Sequence, residues 1–231
     1  MIVEQVQCDT SPWVVARHLR HEPWLVFLES TLPDPLLGQY TFLAVRPLLR
    51  LRAWGASCEV IEAGRRRWLY GNPWMLLERL YARYELGTTA EAPWPLGGFF
   101  GYWGYDLKHF LEPRLPRRAA ADLGLPDLDV GLYDNLLVWD NQTGYCWLVA
   151  TGLQPDGTRN AHRARVQADR WLERIEAAVA WEGTEADRPL ETPGRLPEPG
   201  SSLQRDGFLR AVERTLEYIA AGDIYQVNLS Q

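Results

Sequence analysis

The stretch Leu49-Arg50-Leu51-Arg52-Ala53-Trp54, continued by Cys58-Glu59-Val60-Ile61 and then Trp68-Leu69-Tyr70, decides the fold class. Apolar and charged residues alternate one by one from Leu49 to Ala53, so side chains of one kind share one face of an extended chain. Cys58 to Ile61 repeats the pattern more weakly, and Ala63-Gly64-Arg65 reads as the hairpin turn into Trp68-Leu69-Tyr70. Upstream, Trp24 to Leu28 is a continuous apolar run that ends in Glu29-Ser30, a strand delivering polar groups at its end. A loop from Thr31 to Gly38, carrying Pro33 and Pro35, leads to a further strand over Tyr40 to Val45. The first seventy residues are therefore expected to be mostly antiparallel sheet.

Helices interrupt this sheet at places marked by caps. Ser11-Pro12 and Asn72-Pro73 each pair a capping side chain with a proline suited to the first turn. Trp13 to Leu19 follows the first, and Leu76, Leu77, Leu80, Tyr81 and Tyr84 fall at helical spacing after the second. Further on, Val130 to Trp139 and Tyr145 to Ala150 read as apolar strands joined by a hairpin across Asp140 to Gly144. Thr158 to Trp181 is expected as a long helix with Trp171, Ile175, Ala178 and Val179 on one face. Residues 182–202, rich in proline, glycine and charge, read as an exposed linker. A last helix over Arg205 to Ala221 carries the stripe Phe208, Val212, Leu216 and Ile219. Gly222 then supplies a left-handed cap, and Ile224 to Gln231 reads as a strand whose partners do not follow. Residues 203–231 are accordingly expected to be over-exposed for their apolar content.

With 231 residues, of which 46% are hydrophobic, the chain has material for a packed core. Its net charge of −6 argues against nucleic acid or an anionic membrane as the main partner. There is no signal-like N-terminus and no run approaching the roughly 18 apolar residues of a membrane span. Cys8, Cys58 and Cys146 are odd in number and widely spaced, which suits buried free thiols. A cytoplasmic protein is expected. The eleven tryptophans are read chiefly as core filling.

The search for chemistry in single motifs gives little. The run Gly97-Gly98-Phe99-Phe100-Gly101-Tyr102-Trp103-Gly104 lacks the spacing of a phosphate loop, and its bulky aromatics point to close strand packing instead. His18 and His21 have no third metal ligand near them in sequence. Ser30 sits in no nucleophile elbow. Asp127 and Asp129 flank a strand start and read as solvated turn residues. No catalytic residue and no metal ligand is assigned.

Taken together and in order, Leu28-Glu29-Ser30, the segment Gly38 to Ala44, the segment Gly97 to Leu107, and Ala221 to Gln231 resemble the N-terminal half of the chorismate-utilising enzymes. These are the large subunits of aminodeoxychorismate synthase and anthranilate synthase. Val130-Gly131-Leu132-Tyr133-Asp134 followed by Leu137-Val138-Trp139-Asp140 leans toward the aminodeoxychorismate branch, which serves para-aminobenzoate and folate. The resemblance implies an α+β fold of antiparallel β-sheets packed face to face with flanking helices. It also implies three segments: an N-terminal domain over 1–181, the linker over 182–202, and the start of a chorismate-binding domain over 203–231.

The resemblance further implies amination of chorismate with ammonia from a glutamine amidotransferase (glutaminase) subunit, and Mg²⁺ at the substrate carboxylate. The family's metal ligands and acid–base groups match nothing before Gln231, so the chain alone is expected to be inactive. A tryptophan-binding pocket is implied at Glu29, Ser30, Tyr40, Thr41 and Phe42, with Ser30 and Glu29 receiving the ammonium while Tyr40 and Phe42 flank the indole. Gln39 departs from the basic residue that relatives often carry there. Anthranilate synthesis and a free-standing tryptophan-binding module are the alternative readings.

Overall fold

The structure is a computed structural model that describes residues 1–32, 34, 36–85, 87, 92–116, 122–185 and 200–231. The chain divides into two compact units, Met1–Asp187 and Arg188–Gln231. In the first unit the order is β1 (Ile2–Val6), α1 (Pro12–His18), β2 (Val26–Leu28), β3 (Tyr40–Ala44), β4 (Leu49–Trp54), β5 (Ser57–Glu62) and β6 (Arg65–Tyr70). After these come α2 (Pro73–Tyr84), β7 (Gly98–Trp103), a 3-10 helix (Tyr105–Phe110), β8 (Leu128–Tyr133), β9 (Asn135–Asp140), β10 (Cys146–Ala150) and α3 (Ala161–Glu185). The strands make two antiparallel sheets, ordered β1-β10-β9-β3-β2 and β6-β5-β4-β8-β7, so the α+β class is as expected.

The alternation from Leu49 onward does what its period dictates. Leu49, Leu51 and Ala53 are buried in a core with Leu128, Val130 and Leu132 of β8, covered by Leu77 and Leu80 of α2 and Leu107 of the 3-10 helix. Arg50 and Arg52 lie on the opposite face. Arg50 makes a two-pronged ion pair with Asp129, its Nε 2.7 Å from Oδ1. Arg52 donates to Glu59, which also meets Arg66 at 3.0 Å and is buried. Each carboxylate is thus neutralised by an arginine on a neighbouring strand, the arrangement that lets charge sit on a half-covered sheet face. Asp129 is therefore an ion-pair member, not a solvated turn residue. Asp127 is buried too, and its Oδ2 accepts from the Gly55 amide at 2.7 Å.

The hairpin between β5 and β6 turns at Ala63 and Gly64, both with positive φ, as a two-residue loop with the twist of the strands requires. Ser11 and Asn72 cap α1 and α2 through the amides of Val14 and Trp74. The glycine-rich run forms β7, and there the close-packing reading has a direct cause. A Cβ on Gly101 would lie 2.1 Å from the carbonyl oxygen of Asp129, and φ at this residue is +147°.

Three expectations change. Val130 to Trp139 is not one strand: the chain leaves the second sheet at Tyr133 and enters the first at Asn135. Hydropathy is blind to this break, because both halves are buried. The pivot is Asp134, whose carbonyl accepts from both the amide and the hydroxyl of Thr151 at 2.9 Å. Its carboxylate accepts from Gln167 at 2.6 Å and from Asn135 at 2.8 Å. Gln167 in turn accepts from the Gly152 amide at 3.0 Å, and Asn135 accepts from the Trp171 indole at 2.8 Å. These contacts fasten α3 to the place where the chain changes sheets.

Second, the tryptophans divide. Trp139 and Trp171 are buried, whereas Trp13, Trp24, Trp68 and Trp103 are exposed large hydrophobics. Tyr81 and Val179, expected on buried helix faces, are exposed as well. The cysteines are free, Cys58 and Cys146 buried and Cys8 only half-buried.

Third, in the second unit α4 (Arg205–Ala221) forms and is capped by Gly222 at φ +81°, but Ile224 to Gln231 forms no strand. An extended segment gains its ladder hydrogen bonds only from a neighbouring strand, and none is paired with it. No residue of α4 is buried, and Leu216 remains 59% exposed. The expected linker over 182–202 falls mostly outside the described residues.

Two predictions rest on these contacts. Gly98 and Gly101 have nearly equal φ, +149° and +147°, but nothing lies within 4 Å of a Cβ on Gly98. Gly98→Ala should cost about 1–2 kcal/mol of backbone strain, and Gly101→Ala more than about 3 kcal/mol, by urea unfolding. Equal losses would show that strand approach at Gly101 is unimportant. Asp134→Ala leaves Gln167 and Asn135 donors buried without an acceptor and should cost about 2–4 kcal/mol in the same assay.

Candidate functional site

A hollow of about 400 Å³ opens where α1, the end of β2, the loop before β3 and the β9–β10 turn come together. Its walls include Glu29, Ser30, Asp34, Thr41, Asn141 and Gln142. The loop is shaped by Asp34, whose Oδ1 accepts from the amides of Leu36 and Leu37, both at 2.8 Å, while its carbonyl accepts from the Gly38 amide at 3.1 Å. Those amides hold its carboxyl below the usual range. The facing turn is built the same way. Asp140 Oδ1 accepts from the amides of Gln142 and Thr143, and Gly144 closes the turn with φ +75°. Burial pushes the Asp140 carboxyl up, but these hydrogen bonds outweigh it and hold the group low.

Thr41 ties the two loops together. It is buried, and its hydroxyl donates to Asn141 Oδ1 at 3.1 Å. Asn141 donates onward, from Nδ2 to the Gly38 carbonyl at 3.0 Å and from its amide to the Gln39 carbonyl at 2.8 Å. Glu29 and Ser30 are exposed at the mouth, with no side-chain hydrogen bond among the described residues. Among the described residues its walls therefore offer two carboxylates, of Glu29 and Asp34, and the hydroxyls of Ser30 and Thr41, with no cation. An ammonium group suits it, and the carboxylate end of an amino acid finds no counter-charge among these residues, in keeping with Gln39, not a basic residue, before Tyr40.

The structure brings Glu29, Ser30 and Thr41 together but separates Tyr40 and Phe42 from them. Side chains alternate along β3, so Tyr40 and Phe42 project from the other face of the first sheet. There Tyr40 meets Trp94 at a ring separation of 5.4 Å, and Phe42 meets Phe100 at 6.5 Å, in a core shared with Leu136, Val138 and Val149. They do not flank a ligand lodged beside Ser30. Sequence reasoning missed Asp34 and Asn141. The signals were there in a Pro-Asp-Pro loop and in the Asp-Asn-Gln-Thr-Gly turn, but both read as turn chemistry until the fold sets them face to face.

A larger hollow of about 520 Å³ lies beside α2, walled by Tyr81, Tyr84, Phe99 and Tyr133. Residues 86 and 88–91, which follow α2 directly, lie outside the described residues. Among the described residues, no group of three or more His, Cys, Asp or Glu side chains is arranged to hold a metal ion. No helix among them is long and apolar enough to cross a membrane.

Comparison with known proteins places the chain. It is 29% identical to aminodeoxychorismate synthase component 1 of Escherichia coli (strain K12), over 92% of this chain and 42% of that protein. It is 30% identical to anthranilate synthase component 1 of Neisseria meningitidis serogroup C, over 100% of this chain and 46% of that protein. Among solved structures, anthranilate synthase component I from Streptococcus pneumoniae TIGR4 superposes with a TM-score of 0.55 at 15% identity, covering 95% of this chain and 46% of that one. The chain thus spans somewhat less than half the length of these relatives. The sequence model of the chorismate binding enzyme family matches residues 38–231, and the chain belongs to that family.

Proposed function

We propose that the chain is the N-terminal part of an aminodeoxychorismate synthase component 1, which replaces the ring hydroxyl of chorismate with an amino group. The observation that carries the reading is the family match across residues 38–231. The choice of branch rests on Val130 to Asp134 and Leu137 to Asp140. These segments span β8, the junction residue Asp134 and β9, where Gly131 packs closely on Tyr133 and Pro47 and Asp134 accepts from Gln167. Relatives of both branches match at similar identity, so anthranilate synthesis is the second reading.

In this proposal the ammonia comes from a glutamine amidotransferase subunit. Mg²⁺ and the groups that carry the chemistry belong to the part of the longer relatives that this chain does not span. The segment over 203–231 begins the chorismate-binding domain. The hollow at Glu29 and Ser30 takes the ammonium group of a free amino acid, tryptophan by the family resemblance. The supporting fact is the pair of carboxylates and the uncommitted hydroxyl at its mouth.

Three measurements test this. The purified chain should show no turnover of chorismate with ammonium and Mg²⁺. A polypeptide carrying this segment at the family's full length should release 4-amino-4-deoxychorismate, and release of anthranilate would overturn the branch. In calorimetric titration, tryptophan should bind the chain, and Glu29→Gln should weaken binding about tenfold, equivalent to about 1.4 kcal/mol. The absence of any heat at millimolar tryptophan would leave the hollow a sheet corner.

A further inference from the structure

On the same helix-covered face of the first sheet, at the opposite end of β3, a second polar hollow of about 440 Å³ lies between Val45 and the N-terminal half of α3. Four arginines line it: Arg46, just beyond β3, and Arg163, Arg170 and Arg174 on α3. Spacings of seven and four residues along a helix put the last three on one face. Arg46 is held with φ +53°, a conformation uncommon for a side-chain-bearing residue, and its amide donates to the Pro23 carbonyl at 3.1 Å. His162 and the amide side chain of Asn160 complete the polar wall.

The charges do not balance. Glu22 serves both Arg46 and Arg174, the latter at 3.1 Å. Asp134 faces Arg163 at 3.6 Å, and the Arg163 Nε donates to the Leu153 carbonyl at 2.7 Å. Arg170 has no hydrogen-bond or ion-pair partner among the described residues. Four guanidinium groups against two carboxylates leave an excess of two positive charges around one concavity, in a chain whose net charge is −6. All four line the one hollow, and Arg170, exposed and four residues from Arg174 on the same helix, adds a like charge beside the Arg174–Glu22 pair.

We infer that this hollow is a binding site for a small dianion of the phosphate or paired-carboxylate class. Planar guanidinium forks match the oxygens of such a group in pairs, and the two uncompensated charges match its own. The inference is independent of which reaction the longer enzyme carries out.

Calorimetric titration of the chain with sodium phosphate, against sodium chloride at matched ionic strength, tests it. One saturable site is expected, with malonate competing for it. Arg170→Gln should weaken phosphate binding at least about fivefold without lowering the melting temperature, since Arg170 holds nothing in place. Glu22→Gln should tighten it severalfold, because the amide keeps the geometry of Arg46 and Arg174 but removes a competing charge. Phosphate heats no different from chloride, or unchanged affinity in Arg170→Gln, would overturn the site. Weaker binding in Glu22→Gln would overturn the charge argument behind it.

Discussion

A carboxylate buried between two sheets has few ways to exist, and the architecture of the first unit depends on how Asp134 solves that problem. Its charge is spread over Gln167 and Asn135, with Arg163 at 3.6 Å, and its carbonyl is saturated by Thr151. The partners come from three pieces of the fold: Asn135 opens β9, Thr151 follows β10, and Gln167 and Arg163 sit on α3. Satisfying one acidic group thereby fixes where the chain crosses from the second sheet to the first. It also fixes how α3 lies against the first sheet, where Trp171, Ile175 and Ala178 complete the core. A buried polar group pays its desolvation only when fully bonded, so partial versions of this junction are disfavoured and the crossover is well defined.

The two hollows follow from this junction. Beyond it, β9 carries its face toward α1 and ends in the turn at Asp140 to Gly144, which forms one wall of the hollow at Ser30. At the other end of β3, the same anchoring of α3 presents its arginine row to Arg46. The second sheet is organised by a different rule. Its apolar face is covered by α2, and its charged face is kept tolerable by cross-strand pairs, with Glu59 between Arg52 and Arg66 and Asp129 against Arg50.

Period-two alternation and local caps were legible in the sequence because both act over a few residues. Leu49 to Trp54 forms the strand its pattern requires, α1 and α2 start at Ser11-Pro12 and Asn72-Pro73, and Gly222 stops α4 in the left-handed region. The break at Asp134 was not legible, since hydropathy records burial and not which sheet a strand joins. The strand expected after Ile224 failed for a related reason: strand propensity without a partner has no hydrogen bonds to collect.

The amino-acid order by itself determined the α+β class, most element positions, and the family resemblance that the comparison established. The resemblance also grouped Glu29, Ser30, Tyr40, Thr41 and Phe42 as one pocket. Only the tertiary structure decided that Tyr40 and Phe42 face away from the other three, that Asp34 and Asn141 complete the hollow, and that Arg46 joins three arginines more than a hundred residues further on. Local periodicity sets which way a side chain points relative to its own strand or helix. What it meets there depends on long-range pairing, and that is fixed only when the buried polar groups find their partners.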